Sequence, residues 1–394
     1  MKKNNLRQLI FNNYLLIFAL FFIFIEPHKF TEFAIFHKVI TYLKVLFSFI
    51  FLVLYFVRGK YKKIDIFILI YFITILISSI INKVDLLEYL YFFPGLIGFL
   101  LYSSMAIDNN KQAYLKTFSL YFIIISICNF ITVLLTNDRY NNRVYFLGYD
   151  NTFVPIIVIG CFILLICLSE KKYIKSLLYK MICTGIILLN FIESFIVRSA
   201  TFKVGMVAVL FSYFLFYKNK KIESHFKKNT YFLYLIISFV FFLMIVVLRM
   251  QDHFEYIIVN MLHRNMTFTG RTYFWDLSIE YIKKNIFIGT GYWNMTKRLT
   301  YQGIYHAHST YLSILLESGI VGFVSYYIIL IKNGFNINKI KLNKVKKIIT
   351  FAFFSYFIMT VSEVYIFPHL FYLLMLLADS YSFKEGEQNE NIDS

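Results

Sequence analysis

Long runs of apolar residues dominate this sequence and limit the structures that it can form. Residues 15–25, 46–57, 118–135 and 231–248 contain no charged side chain. Only 16% of the 394 residues are charged, whereas about 25% is usual in a soluble domain. A helix needs roughly 20 mainly apolar residues to cross the hydrocarbon core of a bilayer. The fold class is therefore predicted to be an all-α polytopic membrane protein.

The apolar runs predict about 12 transmembrane helices and one long structured extracytoplasmic loop. The expected spans cover residues 9–25, 39–57, 64–81, 86–107, 115–135, 151–169, 180–197, 201–217, 231–248, 309–331, 348–362 and 367–380. They divide the chain into an N-terminal transmembrane bundle of about nine spans (1–248), an extracytoplasmic loop (249–308), C-terminal transmembrane helices (309–380) and a cytoplasmic tail (381–394).

Basic residues are distributed over these segments in a way that predicts their orientation. With the N-terminus inside the cell, the cytoplasmic segments hold 25 Lys and Arg residues and the short outer segments hold 7. Such an excess is typical of cytoplasmic loops, so both termini are expected in the cytoplasm. The net charge of +18 is interpreted as this orientation signal. No nucleic-acid partner is expected, because the sequence contains no nucleic-acid-binding motif.

Arginine follows a different distribution from lysine in this topology. Of 31 lysines 23 lie inside, whereas seven of nine arginines face outward: Arg139, Arg143, Arg198, Arg249, Arg264, Arg271 and Arg298. A guanidinium group can bind a phosphate or carboxylate through two parallel hydrogen bonds. The pattern therefore predicts an anion site on the outer face. The alternative is that individual arginines only reach toward lipid headgroups.

The outer segment 249–308 contains a predicted amphipathic helix and ends in two histidines. Tyr273–Lys284 is expected to lie at the membrane interface, and Gly289 and Gly291 to form a turn. His306 and His308 follow, and an imidazole at this position can act as a general base near neutral pH. The alternative is a purely structural interfacial histidine. No nearby Cys or carboxylate completes a metal site, so no metal or other cofactor is expected.

Three acidic residues in or beside the spans are further candidates. Glu317 lies nine residues after His308, which places it near the opposite face of a straight helix. Glu193 and Glu363 are functional candidates because intramembrane carboxylates are rare. The alternative for these two is that they neutralise buried arginines.

The segment from His308 to Gly322 resembles the signature of the O-antigen polymerase and ligase superfamily. His308 and Ser309 are followed by nine residues and then by Gly319-Ile320-Val321-Gly322, which matches that signature in full. Upstream, the stretch 270–275 resembles the Gly-Arg-x-x-x-Trp segment of the family, and 289–291 resembles its Gly-x-Gly turn. Arg143 and Arg198 resemble its two outward arginine sites more loosely.

This resemblance implies glycan transfer at the outer leaflet of the bacterial plasma membrane. His308 would be the catalytic base, and Arg143, Arg198 and Arg271 would hold the diphosphate of an undecaprenyl carrier. His306 and Glu317 are expected to be further substrate-binding residues. The expected partners are the undecaprenyl-diphosphate-linked oligosaccharide and membrane lipids, and they could include a chain-length regulator and a flippase of the same pathway.

Two activities of this superfamily fit the sequence. A polymerase of O-antigen or capsule repeat units transfers the growing chain to a lipid-linked repeat unit, and a ligase transfers the finished glycan to a lipid A core or a protein. The polymerase is favoured because the chain length and its richness in Phe, Tyr, Ile and Lys are typical of such enzymes. A flippase or transporter of lipid-linked saccharides is the alternative from another class. It predicts paired charged residues near the bilayer midplane, where they are scarce here.

Overall fold

The computed structural model describes residues 11–136, 143–170, 173, 176–218, 229–250, 270–292, 307–341, 343–365 and 368–390. Most of these residues are helical. The helices are α1 (Tyr14–Phe24), α2 (Ala34–Arg58), α3 (Lys63–Ile81), α4 (Leu86–Leu135), α5 (Val154–Ser169), α6 (Leu177–Ile196), α7 (Ala200–Ser212), α8 (Thr230–Phe242), α9 (Arg271–Lys284), α10 (Thr310–Lys339), α11 (Lys344–Ser362) and α12 (His369–Glu390).

Shorter elements complete the described part of the chain. A 3-10 turn (His28–Glu32) precedes α2, and π-helical turns (Tyr213–Lys218 and Leu243–Val247) extend α7 and α8. Strands β1 (Val144–Tyr145) and β2 (Gly148–Tyr149) form an antiparallel hairpin between α4 and α5.

Seven of the described helices are long and apolar enough to cross a membrane. Three more, α1, α5 and α7, are apolar but shorter. This result agrees with an all-α polytopic membrane protein. The number of twelve spans stays a prediction. The helix expected within the outer loop is present as α9, whereas residues 251–269 and 293–306 of that loop lie outside the described residues.

Helix α4 contains 50 residues and is interrupted at Asn110. The backbone of Asn110 is non-helical, with φ −150° and ψ 77°, and its side-chain oxygen accepts a hydrogen bond of 3.0 Å from the Ala113 N–H. The Phe21 ring of α1 packs against Phe99 before the break and against Phe118 after it. The two halves therefore fold back along the same neighbour. The expected loop 108–116 is reduced to one non-helical residue.

Helices α5 and α12 lie in the core of the bundle. Fourteen of the sixteen residues of α5 are buried, and residues 370–378 of α12 are at most 1% exposed. A helix that is apolar on all sides is stable only when other helices surround it. Helix α12 continues to Glu390, past residue 380 where the last span was expected to end.

The connections between helices gather into two groups at opposite ends of the bundle. At one end, Asp108 lies 2.7 Å from both Arg58 and Lys62. At the other end, the Lys29 N–H donates to the Phe146 carbonyl at 3.0 Å. These are the segments that alternating spans place on the same side. The second end also carries α9 and the beginning of α10, and we call it the α9 end.

Candidate active site

His308 lies directly before α10 in a backbone conformation that is unusual for a residue with a side chain. Its φ angle of 47° lies in the left-handed region, which costs roughly 1–2 kcal/mol for residues other than glycine. The ring is half-buried, and its centroid lies 5.1 Å from that of Phe274 in α9. Residues held in such conformations are enriched at functional sites. The role of His308 as a base stays a prediction.

Arg271 begins α9 and connects it to the end of α11. Its Nη1 donates to the Ser362 carbonyl at 2.6 Å, and its Nη2 donates to Oε1 of the buried Glu363. The Thr310 hydroxyl, two residues after His308, donates to the Glu363 carbonyl oxygen at 2.8 Å. Helices α9, α10 and α11 therefore meet at this point, which places Arg271 and His308 at the same end of the bundle.

Arg143 reaches the same region from the base of the β-hairpin. Its Nη2 lies 2.8 Å from Oδ2 of Asp150, which is fully buried. The next residue, Asn151, donates its side-chain N–H to Oε1 of Glu363 at 3.0 Å. The Arg143–Asp150 and Arg271–Glu363 ion pairs are therefore adjacent and are linked through Asn151.

Arg198 adds a third positive charge to this region, because it interacts electrostatically with Asp150. Burial raises the pKa of the Asp150 carboxyl, and the charges of Arg143 and Arg198 counteract this rise. Burial also raises the pKa of the Glu363 carboxyl, which Arg271 lowers and Asp150 raises further. We call Arg143, Arg198 and Arg271 with these two carboxyl groups the arginine cluster. Its positive groups outnumber its negative ones, so it can attract a further anion.

The carboxyl partners of the arginines were only partly predictable. The alternative that Glu363 neutralises an arginine is confirmed. For Glu193 the described partner is instead the Asn129 amide, which donates to Oε1 at 2.5 Å. Asp150 was not predicted. The sequence feature that could have indicated the Arg143–Asp150 pair is the short segment between these residues. Gly148 in this segment has a φ angle of 125° and allows the tight turn of a hairpin, which brings the two residues together.

The predicted glycine turn docks against a break in α10. At Gly319 the backbone has φ 61° and ψ −162°, which interrupts the helix and frees backbone groups on both sides. Within a bilayer such groups must find other partners. The glycine turn supplies these partners through four backbone hydrogen bonds of 2.8–3.3 Å. The N–H groups of Thr290 and Gly291 donate to the carbonyls of Leu316 and Glu317 in α10, and the N–H groups of Ile320 and Val321 in α10 donate to the carbonyls of Ile286 and Phe287.

Glu317, a predicted substrate-binding residue, has its described contacts away from the arginine cluster. The Glu317 carbonyl accepts a hydrogen bond of 2.7 Å from the Ser78 hydroxyl, and its carboxyl group interacts electrostatically with Tyr71. Glu317 therefore faces α3, and its substrate-binding role stays a prediction. His306 lies outside the described residues, as do Arg139, Arg264 and Arg298.

Comparison with known families addresses this region directly. Residues 184–327 match the model of a family described as O-antigen ligase. The resemblance to the O-antigen polymerase and ligase superfamily is confirmed. The matched segment contains Arg198, Arg271 and His308, whereas Arg143 and Glu363 lie outside it. No curated protein matched the chain.

The family match also bears on the class of reaction. It supports a glycosyltransferase-like enzyme of the ligase or polymerase type in a multi-pass membrane protein. It does not separate the two activities. Among the described residues, no group of three or more His, Cys, Asp or Glu side chains could hold a metal ion.

Proposed function

We propose that this protein is a polymerase of O-antigen or capsule repeat units. It transfers the growing glycan from an undecaprenyl-diphosphate carrier to a hydroxyl group of a lipid-linked repeat unit. The observation that carries this proposal is that His308 and the arginine cluster lie at the same end of an apolar bundle, where Thr310, two residues after His308, bonds to Glu363 of the cluster. A base for the acceptor and a cationic site for the leaving group are the two requirements of such a transfer.

The arginine cluster suits a diphosphate. The side chains of Arg143 and Arg271 remain 32% and 20% exposed, although each is oriented by a buried carboxylate. Guanidinium groups that are fixed before the substrate arrives lose less freedom on binding. A diphosphate carries several oxygen atoms that accept hydrogen bonds, so that the guanidinium groups of more than one arginine can bind it at once.

We infer a direct transfer of the glycan at this site. The His308 imidazole accepts the proton of the acceptor hydroxyl, and the acceptor oxygen forms a bond to the anomeric carbon of the donor glycan. The bond between that carbon and the diphosphate oxygen breaks, and its electron pair leaves with the undecaprenyl diphosphate. Arg143, Arg198 and Arg271 stabilise the negative charge that develops on this leaving group. The proton then passes from His308 to water or to the released diphosphate.

We place this site on the extracytoplasmic face of the bacterial inner membrane. The α9 end carries the three arginines, whereas the opposite end carries the segments that are rich in lysine. Cytoplasmic loops are the basic ones in membrane proteins. The grouping of the connections at two ends supports an even number of crossings with both termini inside.

A ligase is the second candidate, because the family that matches residues 184–327 is described by that activity. The same base and the same cationic site serve both reactions. The two differ in the acceptor, which is a lipid-linked repeat unit for a polymerase and a lipid A core or protein for a ligase.

Reconstitution of the purified protein separates these activities. The protein is incubated in liposomes with an undecaprenyl-diphosphate-linked repeat unit from its source, and the products are sized by gel and mass spectrometry. A ladder with the spacing of the repeat unit is the expected result. A single transfer that requires an added lipid A core or protein acceptor would identify a ligase. No transfer under either condition would contradict both proposals.

A further inference from the structure

Arg249 follows the π turn of α8 and forms hydrogen bonds to the beginning of α9. Its Nη2 donates to the Thr272 carbonyl at 2.7 Å and to Oδ1 of Asp276 at 2.5 Å. Its guanidinium carbon lies 4.9 Å from the centroid of the Trp275 ring. An arginine over an indole face gains both a cation–π contact and close packing. Arg249 therefore holds the turn of α9 that carries Arg271 and Trp275.

Trp275 connects this turn to the backbone of His308. The indole is fully buried. It belongs to a small apolar cluster with residues of α8 and its π turn, α10, α11 and the segment before α10: Phe242, Val246, Ala307, Tyr311, Leu312 and Val361. Its Nε1 donates to the His308 carbonyl oxygen at 3.3 Å. One face of the α9 turn therefore determines where the peptide group of His308 lies.

We propose that Arg249 and Trp275 are positioning residues that hold His308 in its left-handed conformation and fix its imidazole relative to Arg271. This inference rests on the proposed function, in which His308 is the base and Arg271 binds the leaving group. Neither Arg249 nor Trp275 needs to touch the substrate. Both act through His308 and through the first turn of α9.

The left-handed backbone of His308 is the reason that such support is needed. A residue with a side chain keeps this conformation only when its surroundings determine it. The Trp275 N–H and the Phe274 ring both come from α9, so a shift of that helix moves the peptide and the imidazole together. Arg271 lies on the same turn. A misplacement of about 1 Å can cost about 100-fold in the rate of an enzymatic step.

Two substitutions remove the proposed contacts while they preserve most of the packing. Trp275→Phe keeps an aromatic ring but removes the N–H donor. Arg249→Lys keeps the charge, but an ammonium group cannot reproduce the planar stack and the bonds to both acceptors. Tyr273→Phe is the matched control, because Tyr273 lies on the same turn and is exposed. Thermal unfolding in detergent verifies that each variant is folded.

Two measurements test the proposal. In the transfer assay, kcat is expected to fall about 10- to 100-fold in both variants, with little change in KM for the lipid-linked donor. Independently of activity, diethyl pyrocarbonate modifies accessible imidazoles, and mass spectrometry gives the rate at each histidine. The rate at His308 is expected to change in both variants, whereas the rate at the partly exposed His37 stays constant. The control variant should match the wild type in every respect.

The outcomes distinguish this inference from the proposed function. A wild-type modification rate at His308 in both variants would overturn the positioning role, and so would a changed rate with wild-type kcat. If the wild-type protein transferred no glycan to any acceptor, the proposed function would fail. The modification rates would then still decide whether Arg249 and Trp275 control the position of His308.

Discussion

Arg271 is the residue on which the proposed anion site depends most. Its two terminal nitrogens bind two different acceptors, the Ser362 carbonyl and the Glu363 carboxylate. The remaining donor capacity of a planar guanidinium can bind an incoming phosphate, whereas an ammonium group offers no such fixed geometry. The position of Arg271 on the first turn of α9 also brings it close to the support of His308.

Arg271→Lys is expected to lower the rate of glycan transfer about 10²- to 10³-fold, because a positioned charge-stabilising donor is lost. The measurement is kcat/KM in the reconstituted transfer assay. Arg58→Lys is the control, because Arg58 makes an ion pair with Asp108 at the opposite end of the bundle and is expected to retain activity. Full activity of Arg271→Lys would mean that the site requires only a positive charge.

The sequence predicts roles for particular arginines and for His308, and these roles stay predictions, but it does not indicate which groups orient the side chains. His308 and Arg271 belong to local motifs that can be read without a structure. Their partners are distant in the chain: Glu363 is 92 residues from Arg271. The left-handed conformation of His308 also depends on tertiary contacts, which no local pattern encodes.

At the scale of elements, the break in α10 and the turn that fills it form one unit. A Cβ atom at Gly319 would lie 2.4 Å from the Phe287 carbonyl carbon, and one at Gly289 would lie 2.6 Å from the Gly319 nitrogen. Both positions have positive φ angles. The backbones of the turn and of α10 therefore approach each other at a distance that only glycine permits.

Gly319→Ala is expected to destabilise the protein by about 1–3 kcal/mol, because the new methyl group collides with backbone and the φ angle is unfavourable. The measurement is thermal unfolding in detergent micelles. Gly185→Ala in α6 is the matched control, since a Cβ atom there meets nothing within 4 Å and alanine favours a helix. An unfolding temperature of Gly319→Ala equal to that of Gly185→Ala would contradict this account of the break.

Element types were predicted well, whereas interruptions were not. The apolar runs gave the positions of the long helices, and the amphipathic pattern of residues 273–284 gave that of α9. The sequence of α10 reads as one continuous helix, because glycine within an apolar run is also common in transmembrane helices. The single-residue break at Asn110 was missed for a different reason. Polar residues 108–112 suggested a loop, whereas the chain is helical on both sides of Asn110 and the Asn110 side chain caps the following helix.

At the scale of the whole molecule, the two ends of the bundle differ in their basic residues. This difference predicts that the α9 end faces outward. Lys83 and Lys60 flank α3 at its two ends and are both exposed. They form a matched pair for testing orientation within one helix.

A membrane-impermeant maleimide is expected to label Lys83→Cys but not Lys60→Cys in intact cells. Both variants are made after the four native cysteines, which are free in the structure, have been replaced by alanine. Permeabilised cells provide the control, because both positions should then react. Labelling of Lys60→Cys alone in intact cells would reverse the orientation and place the site in the cytoplasm.

The central claim is that His308 removes the acceptor proton while the arginine cluster binds the diphosphate. The most direct test compares the wild type with His308→Ala and measures, in the same samples, donor binding and the release of undecaprenyl diphosphate. We expect His308→Ala to bind the donor as the wild type does and to lose about 10²- to 10⁴-fold in the rate of release, the usual contribution of a general base. Release at the wild-type rate by a folded His308→Ala protein would contradict this account.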